Sequence, residues 1–242
     1  MESYYYLCLG PDKKEFFSLP SRWKPLHFVE TEERVSIPTI EEMTEGALSQ
    51  PIGSPPLREL VRGTHRAAII IDDATRPTPV KKILKVLLPL LAKAGVTKEK
   101  ITFVVALGTH IPVKQDELEE RLGSDVLSEY NIVQHNAWQD DLAPVSLNDG
   151  QIVKINPHVA QADLKIGISS ILPHPMAGYG GGPKIVMPGV ANFGFIRDHH
   201  MRYTIHPQAR AGLIKGNPFH EKVLQVASAV GLSLSTTDFK KK

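Results

Sequence analysis

The sequence predicts an α/β fold, a mostly parallel sheet with helices on both faces. Two observations carry this expectation. Residues 67–71 (Ala-Ala-Ile-Ile-Ile) form a continuous apolar run ending in Asp72-Asp73, as a strand buried on both faces requires, and 101–107 and 164–172 read as further buried strands. Between the first two runs the apolar residues fall at helical spacing, and a Glu- and Leu-rich helical stretch follows the second. Strand and helix therefore recur at the distances of right-handed βαβ units, a Rossmann-like arrangement.

Taken in order, residues 4–19 place aromatic and apolar side chains around Gly10-Pro11-Asp12 and predict an added N-terminal hairpin. Short helices are expected over 40–48 and 55–61, separated by Gly53-Ser54-Pro55-Pro56. After the strand at 67–71, Ile83, Val86, Leu87, Leu90 and Leu91 mark a helix over 80–94, closed by Gly95 and kinked at Pro89. Following the strand at 101–107, one helix is expected over 114–130 and a short strand over 131–135. Residues 144–147 and 151–155 flank Asn148-Asp149-Gly150, a hairpin signal. A strand over 164–172, a helix over 220–230 and the start of a strand at 231–235 complete the series. With no internal repeat and no linker, residues 1–242 read as one domain.

Composition narrows the class without naming a function. Basic residues number 28 against 26 acidic, a formal charge of +2, which gives no footing for a nucleic-acid or anionic-membrane partner. The Lys240-Lys241-Lys242 tail reads as solvated charge. The single Cys8 excludes an internal disulfide and a multi-cysteine metal site; it reads as a small apolar packing residue. Glu2 stands where a secretory leader needs positive charge, and no apolar stretch approaches membrane-spanning length, so a cytoplasmic protein is expected.

Polar residues gather at strand ends, where parallel sheets bind ligands. The first end offers Asp72-Asp73-Ala74-Thr75-Arg76-Pro77, the second Gly108-Thr109-His110, and the third Pro173-His174-Pro175 followed by 177–184. An Asp-Asp pair before proline also suits a turn or helix cap, and a lone His also suits a surface. Glycines at 178, 180, 181 and 182 are harder to explain without close backbone approach. A P-loop is excluded because Pro183 precedes Lys184 and Ile185 follows it, and a dinucleotide fingerprint puts Pro183 at its third glycine. The run reads instead as an anion or cofactor cradle, with Lys184 as donor. In Arg197-Asp198-His199-His200-Met201-Arg202, adjacent histidines in regular structure cannot both face one metal.

Together, residues 72–79, 106–112, 174–191 and the His199-His200 pair resemble the lactate racemase family in order and spacing, over most of residues 66–220. The pattern His174-x-x-x-Gly178-Tyr179-x-Gly181-Gly182-x-Lys184, followed by Met187-Pro188-Gly189, is long and specific. The resemblance implies a racemase or epimerase of a lactate-like 2-hydroxy acid. It also implies nickel held in a pincer nucleotide, a pyridinium-3,5-dithiocarboxylic-acid-derived mononucleotide, with cofactor-synthesis enzymes as partners. Lys184 would carry the cofactor covalently and His200 would ligate nickel. His110 and His174 would act as acid and base, and Arg76 would hold the substrate carboxylate. Asp73, Thr75, Gly181 and Gly182 would line the cofactor.

These roles suit the residue types. Imidazole titrates near neutral pH, and a racemase needs proton exchange on two sides of one carbon. A guanidinium grips a carboxylate with two prongs, and imidazole with sulfur suits nickel. The family's C-terminal domain is absent from residues 1–242. The chain therefore reads as the cofactor-carrying N-terminal domain, completed by a homo-oligomer or a separate C-terminal domain and inactive without it. Two alternatives stay open: a phosphate- or nucleotide-binding enzyme of another class, and a non-catalytic cofactor-binding remnant.

Overall fold

The computed structural model describes residues 4–8, 14–20, 22, 23 and 38–236. The chain divides into two compact units, 1–37 and 38–242. In the first, β1 (Tyr4–Cys8) and β2 (Lys14–Ser18) pair antiparallel, Tyr4 opposite Ser18 and Cys8 opposite Lys14, which is the expected hairpin. Its turn at Gly10, Pro11 and Asp12, the packing of Cys8 and the Lys240–Lys242 tail lie outside what is described.

The second unit opens with α1 (Ile40–Ser49), started by a capping box in which Thr39 and Glu42 satisfy each other's backbone N–H, and α2 (Leu57–Leu60). There follow β3 (Ala67–Asp72), α3 (Val80–Lys93), β4 (Ile101–Ala106), α4 (Gln115–Leu122), α5 (Ser124–Glu129) and β5 (Asn131–Gln134). A hairpin of β6 (Ala143–Ser146) and β7 (Ile152–Ile155) leads to α6 (Pro157–Ala160) and β8 (Leu164–Ile168). A two-residue ladder, β9 (Pro173–His174) with β10 (Gly178–Tyr179), precedes α7 (Phe193–Tyr203), α8 (Pro218–Val230) and β11 (Leu234–Thr236).

The central sheet runs β11-β8-β3-β4-β5, every neighbour parallel. Ala67 lies beside Ile101 on one flank and Leu164 on the other. Because strand side chains alternate, Ile69, Ile71, Phe103, Val105, Ile166 and Ile168 pack with α1 to α5 on one face. Ala68, Ile70 and Val104 pack with α6, α8 and the β6–β7 hairpin on the other. Burial on both faces explains the apolar character of β3, β4 and β8. Among the described residues no helix is long and apolar enough to cross a membrane.

Three expectations need local correction. The single helix over 114–130 is two, because Gly123 takes φ 95°, outside any helix. The strand expected over 164–172 ends at Ile168, beyond which the Ser169 hydroxyl accepts from the Gly182 N–H and the Ser170 N–H donates to Asp72. The helix expected from 220 begins at Pro218, with the Asn217 side chain accepting from the N–H groups of Phe219 and His220. Pro89 sits inside α3 without ending it.

Candidate active site

From β3 the chain passes first to β4 and β5 on one flank, and later to β8 and β11 on the other. The switch point beside β3 opens a crevice at the carboxyl ends of β3, β4 and β8. One cleft there is lined by Asp72, Asp73 and Arg76 from the first end and by 106–110 from the second. Ser169, Ser170, Leu172, Pro173 and His174 line it from the third, and Gly180, Gly181, Lys184, Ile185, Pro188, Gly189, Ile196 and His200 close it. Seven of the nine site residues named from sequence thus converge: Asp73, Arg76, His110, His174, Gly181, Lys184 and His200. Thr75 and Gly182 do not line the cleft. The Thr75 hydroxyl and N–H both serve the Asp73 carboxylate, and the buried Gly182 N–H donates to Ser169 Oγ at 3.0 Å.

The β3 end is held from beneath. Arg121 on α4 donates from Nη1 to the Arg76 carbonyl (2.9 Å) and from Nη2 to the Asp72 carbonyl (3.0 Å) and Asp72 Oδ1 (2.6 Å). Asp72 Oδ2 accepts from Thr78 Oγ1 and from the Ser170 N–H at 3.3 Å, tying β3 to the end of β8. Burial raises the Asp72 pKa, against the hydrogen bond from Thr78, the charge of Arg121 and the Ser170 N–H. Replacing Arg121 by alanine would leave that carboxylate buried without its cation, so a stability loss of about 3–5 kcal/mol is expected in urea unfolding. A loss under about 1 kcal/mol, the size of a surface pair, would show that the clamp is dispensable.

Asp73, also buried, accepts from His110 Nδ1 with its Oδ2. Burial raises its pKa, but the bonds from the Thr75 side chain, from His110 and from the Thr75 backbone outweigh this and hold it below the usual value. Asp73 is thus His110's hydrogen-bond partner and lines the same cleft. With Nδ1 so engaged, His110 offers Nε2 to the cleft. Arg76 makes no side-chain hydrogen bond or ion pair among the described residues and lines the same cleft.

The glycine run is shaped by close approach. Gly181 (φ 71°, ψ −171°) would place a Cβ 2.4 Å from the Ser170 carbonyl oxygen, and Gly178 (φ 78°) would place one 2.1 Å from that of Leu213. Both positions require glycine. Lys184 follows in a 3-10 turn, its ammonium 5.5 Å from the centre of the Phe219 ring. Burial, then the charge of Arg76, lowers its pKa to about 8, so an appreciable fraction is free amine near neutral pH.

Helix α7, which sequence reading left unassigned, decides between the two adjacent histidines. His199 points into the core, bonding the Phe219 carbonyl through Nε2 (3.0 Å), and His200 lines the cleft. His200 Nδ1 donates to the Ile196 carbonyl at 2.8 Å, which leaves Nε2 as a lone-pair donor. Burial lowers the His200 pKa, against the bond to Ile196 and helped by Lys184, which favours the neutral ring. Among the described residues no group of three or more His, Cys, Asp or Glu could hold a metal alone. One imidazole, a nucleophilic lysine and a glycine cradle instead fit a metal carried by an organic group attached to the chain.

Arg121, Thr78, Ser169 and Ser170 were missed from sequence. Arg121 stands in an acidic helical run where it resembles any surface charge, and the serines fell within the expected strand.

Residues 12–212 match the family model described as the lactate racemase N-terminal domain. A lactate racemase of Lactiplantibacillus plantarum is 36% identical over 197 residues, covering 80% of this chain and 46% of that protein. A lactate racemase of Thermoanaerobacterium thermosaccharolyticum is 30% identical over 196 residues, again 80% of this chain and 46% of that protein. The chain spans about half the length of the curated relatives it matches. The solved apoprotein of lactate racemase from T. thermosaccharolyticum superposes with TM-score 0.72 at 27% identity, covering 81% of this chain and 48% of that one. A Thermotoga maritima protein, at TM-score 0.65 and 23% identity, shares the fold.

Proposed function

Because this chain belongs to the lactate racemase N-terminal domain family, we propose that it is the cofactor-carrying part of a cytoplasmic 2-hydroxy-acid racemase or epimerase, with nickel held in a pincer nucleotide attached at Lys184. The observation that carries this reading is the convergence of Arg76, His110, His174, Lys184 and His200 on one cleft at the sheet's switch point. When bound, the group supplies an acceptor for the C2 hydrogen with its electron pair, and the planar 2-keto acid can take both back on either face.

The chain's own residues do the rest. Arg76 would fix the substrate carboxylate through a two-pronged charge-assisted contact. His110 would take the hydroxyl proton on Nε2, and the Asp73 carboxylate would hold the resulting imidazolium. His200 would give its Nε2 lone pair to nickel. Lys184, partly unprotonated, would supply the amine for attachment, with the Gly181 turn letting the backbone approach the group. The second half present in the relatives, from the same or another chain, would close the cleft against water.

The test is production of the chain together with cofactor-building enzymes, followed by intact mass and metal analysis. A mass gain lost in Lys184→Ala is expected, with roughly one nickel per chain. In His200→Ala the mass gain should persist while most of the nickel is lost. No gain in the unmodified chain, or a gain indifferent to Lys184, would overturn the reading.

A further inference from the structure

The two cleft histidines are wired in opposite senses. His110 Nδ1 donates to a carboxylate, whereas His174 Nδ1 accepts: the backbone N–H groups of Met176 (3.3 Å) and Ala177 (3.0 Å) both point at it. The contact arises in the β9–β10 hairpin, where His174 pairs with Gly178 across three intervening residues, two of which turn their N–H groups to Nδ1. That turn is pinned from outside. Asn217 Nδ2 donates to the Met176 carbonyl (2.8 Å), His220 Nδ1 donates to the Ala177 carbonyl (3.0 Å), and Gly178 has no room for a Cβ.

We propose that the pair is not interchangeable: His174 serves as a neutral Nε2–H hydrogen-bond donor to a substrate oxygen, and His110 alone exchanges the hydroxyl proton. A proton on His174 Nδ1 would face two N–H groups, so the proton sits on Nε2. To act as a base through Nε2, the ring would have to move that proton to Nδ1 and break the turn. The charged and titratable groups facing it act in the same direction. Burial, then Lys184 from the 3-10 turn, Arg76 from the β3 loop and His200 from α7 lower its pKa to about 4. A neutral histidine donor of this kind polarises a carbonyl oxygen without carrying charge. The proton balance closes at His110: the substrate O–H bond breaks, an N–H bond forms on Nε2, and the same proton returns to the oxygen when the carbon is reduced again.

The substrate role rests on the function proposed above, but the tautomer does not, and the test separates the two. Long-range nitrogen–proton correlation spectra of the ¹⁵N-labelled 242-residue chain would be recorded from about pH 5 to 8, with His174 assigned through its loss in His174→Gln. An Nε2–H ring unchanged across that range is expected. An Nδ1–H ring, or protonation within the range, would overturn the proposal whatever the cofactor experiment shows. In cofactor-loaded enzyme, His174→Gln places an amide N–H near the Nε2 position, and kcat is expected within about tenfold of the unsubstituted enzyme. His174→Asn restores an acceptor for the turn but no donor into the cleft, and should lose about a hundredfold or more. Equal loss in both variants, each shown to be folded, would make His174 a base and sink the donor role.

Discussion

Acidification from about pH 7 to about pH 4 is expected to weaken the fold steeply, with His199 alone contributing about 3 kcal/mol. His199 is 4% exposed. Its pKa is lowered from 6.5 to about 4, chiefly by burial, against the bond to the Phe219 carbonyl. The unfolded chain binds the proton near pH 6.5 and the folded chain does not until about pH 4. The stabilisation is therefore complete above 6.5 and drains away as pH falls through that window. His135, His174, His200 and His220 are shifted in the same direction, each primarily by burial. Asp72, raised by burial, offsets part of the loss. Urea unfolding at half-unit pH steps would measure the effect, and His199→Gln should flatten the curve. A stability indifferent to pH between 6.5 and 4.5 would show that these rings are protonated in the folded state.

Alanine at Gly181 is expected to cost about 3–5 kcal/mol and to abolish the cofactor attachment proposed at Lys184. The dihedral pair φ 71°, ψ −171° belongs almost to glycine alone, at about 1–3 kcal/mol for any other residue. The added Cβ would then press on the Ser170 carbonyl at 2.4 Å, backbone against backbone, so relief means moving the loop that sets Lys184. The control is Gly150→Ala in the β6–β7 turn. It also has positive φ, at 81°, but nothing lies within 4 Å, so only about 1–2 kcal/mol is expected. Thermal unfolding compares the two, and intact mass after cofactor loading reads the attachment. Equal small losses would mean that the glycine run tolerates a side chain.

The parallel sheet was legible because its three central strands, β3, β4 and β8, are buried on both faces and leave no alternation to misread. The strand ends then placed Asp73, Arg76, His110 and His174 together before any contact was known. What the sequence hid is set by packing across distance. The resemblance named His200, but the physical reason for it over His199 needed the docking of α7 on Phe219, and the Asp73–His110 bond needed two loops from different strands to meet. Arg121 lies 45 residues beyond the carbonyl of Arg76 that it holds, in a helix whose neighbours are acidic and exposed. No local pattern separates such an arginine from a solvated one.

The locking of the His174 turn by Asn217 and His220 also makes the cleft depend on a helix that lies outside it. Those two side chains, at the head of α8, lie 41 and 43 residues after the carbonyls they grip. A substitution that loosens that helix end would therefore reach the histidine without touching any residue that lines the cleft.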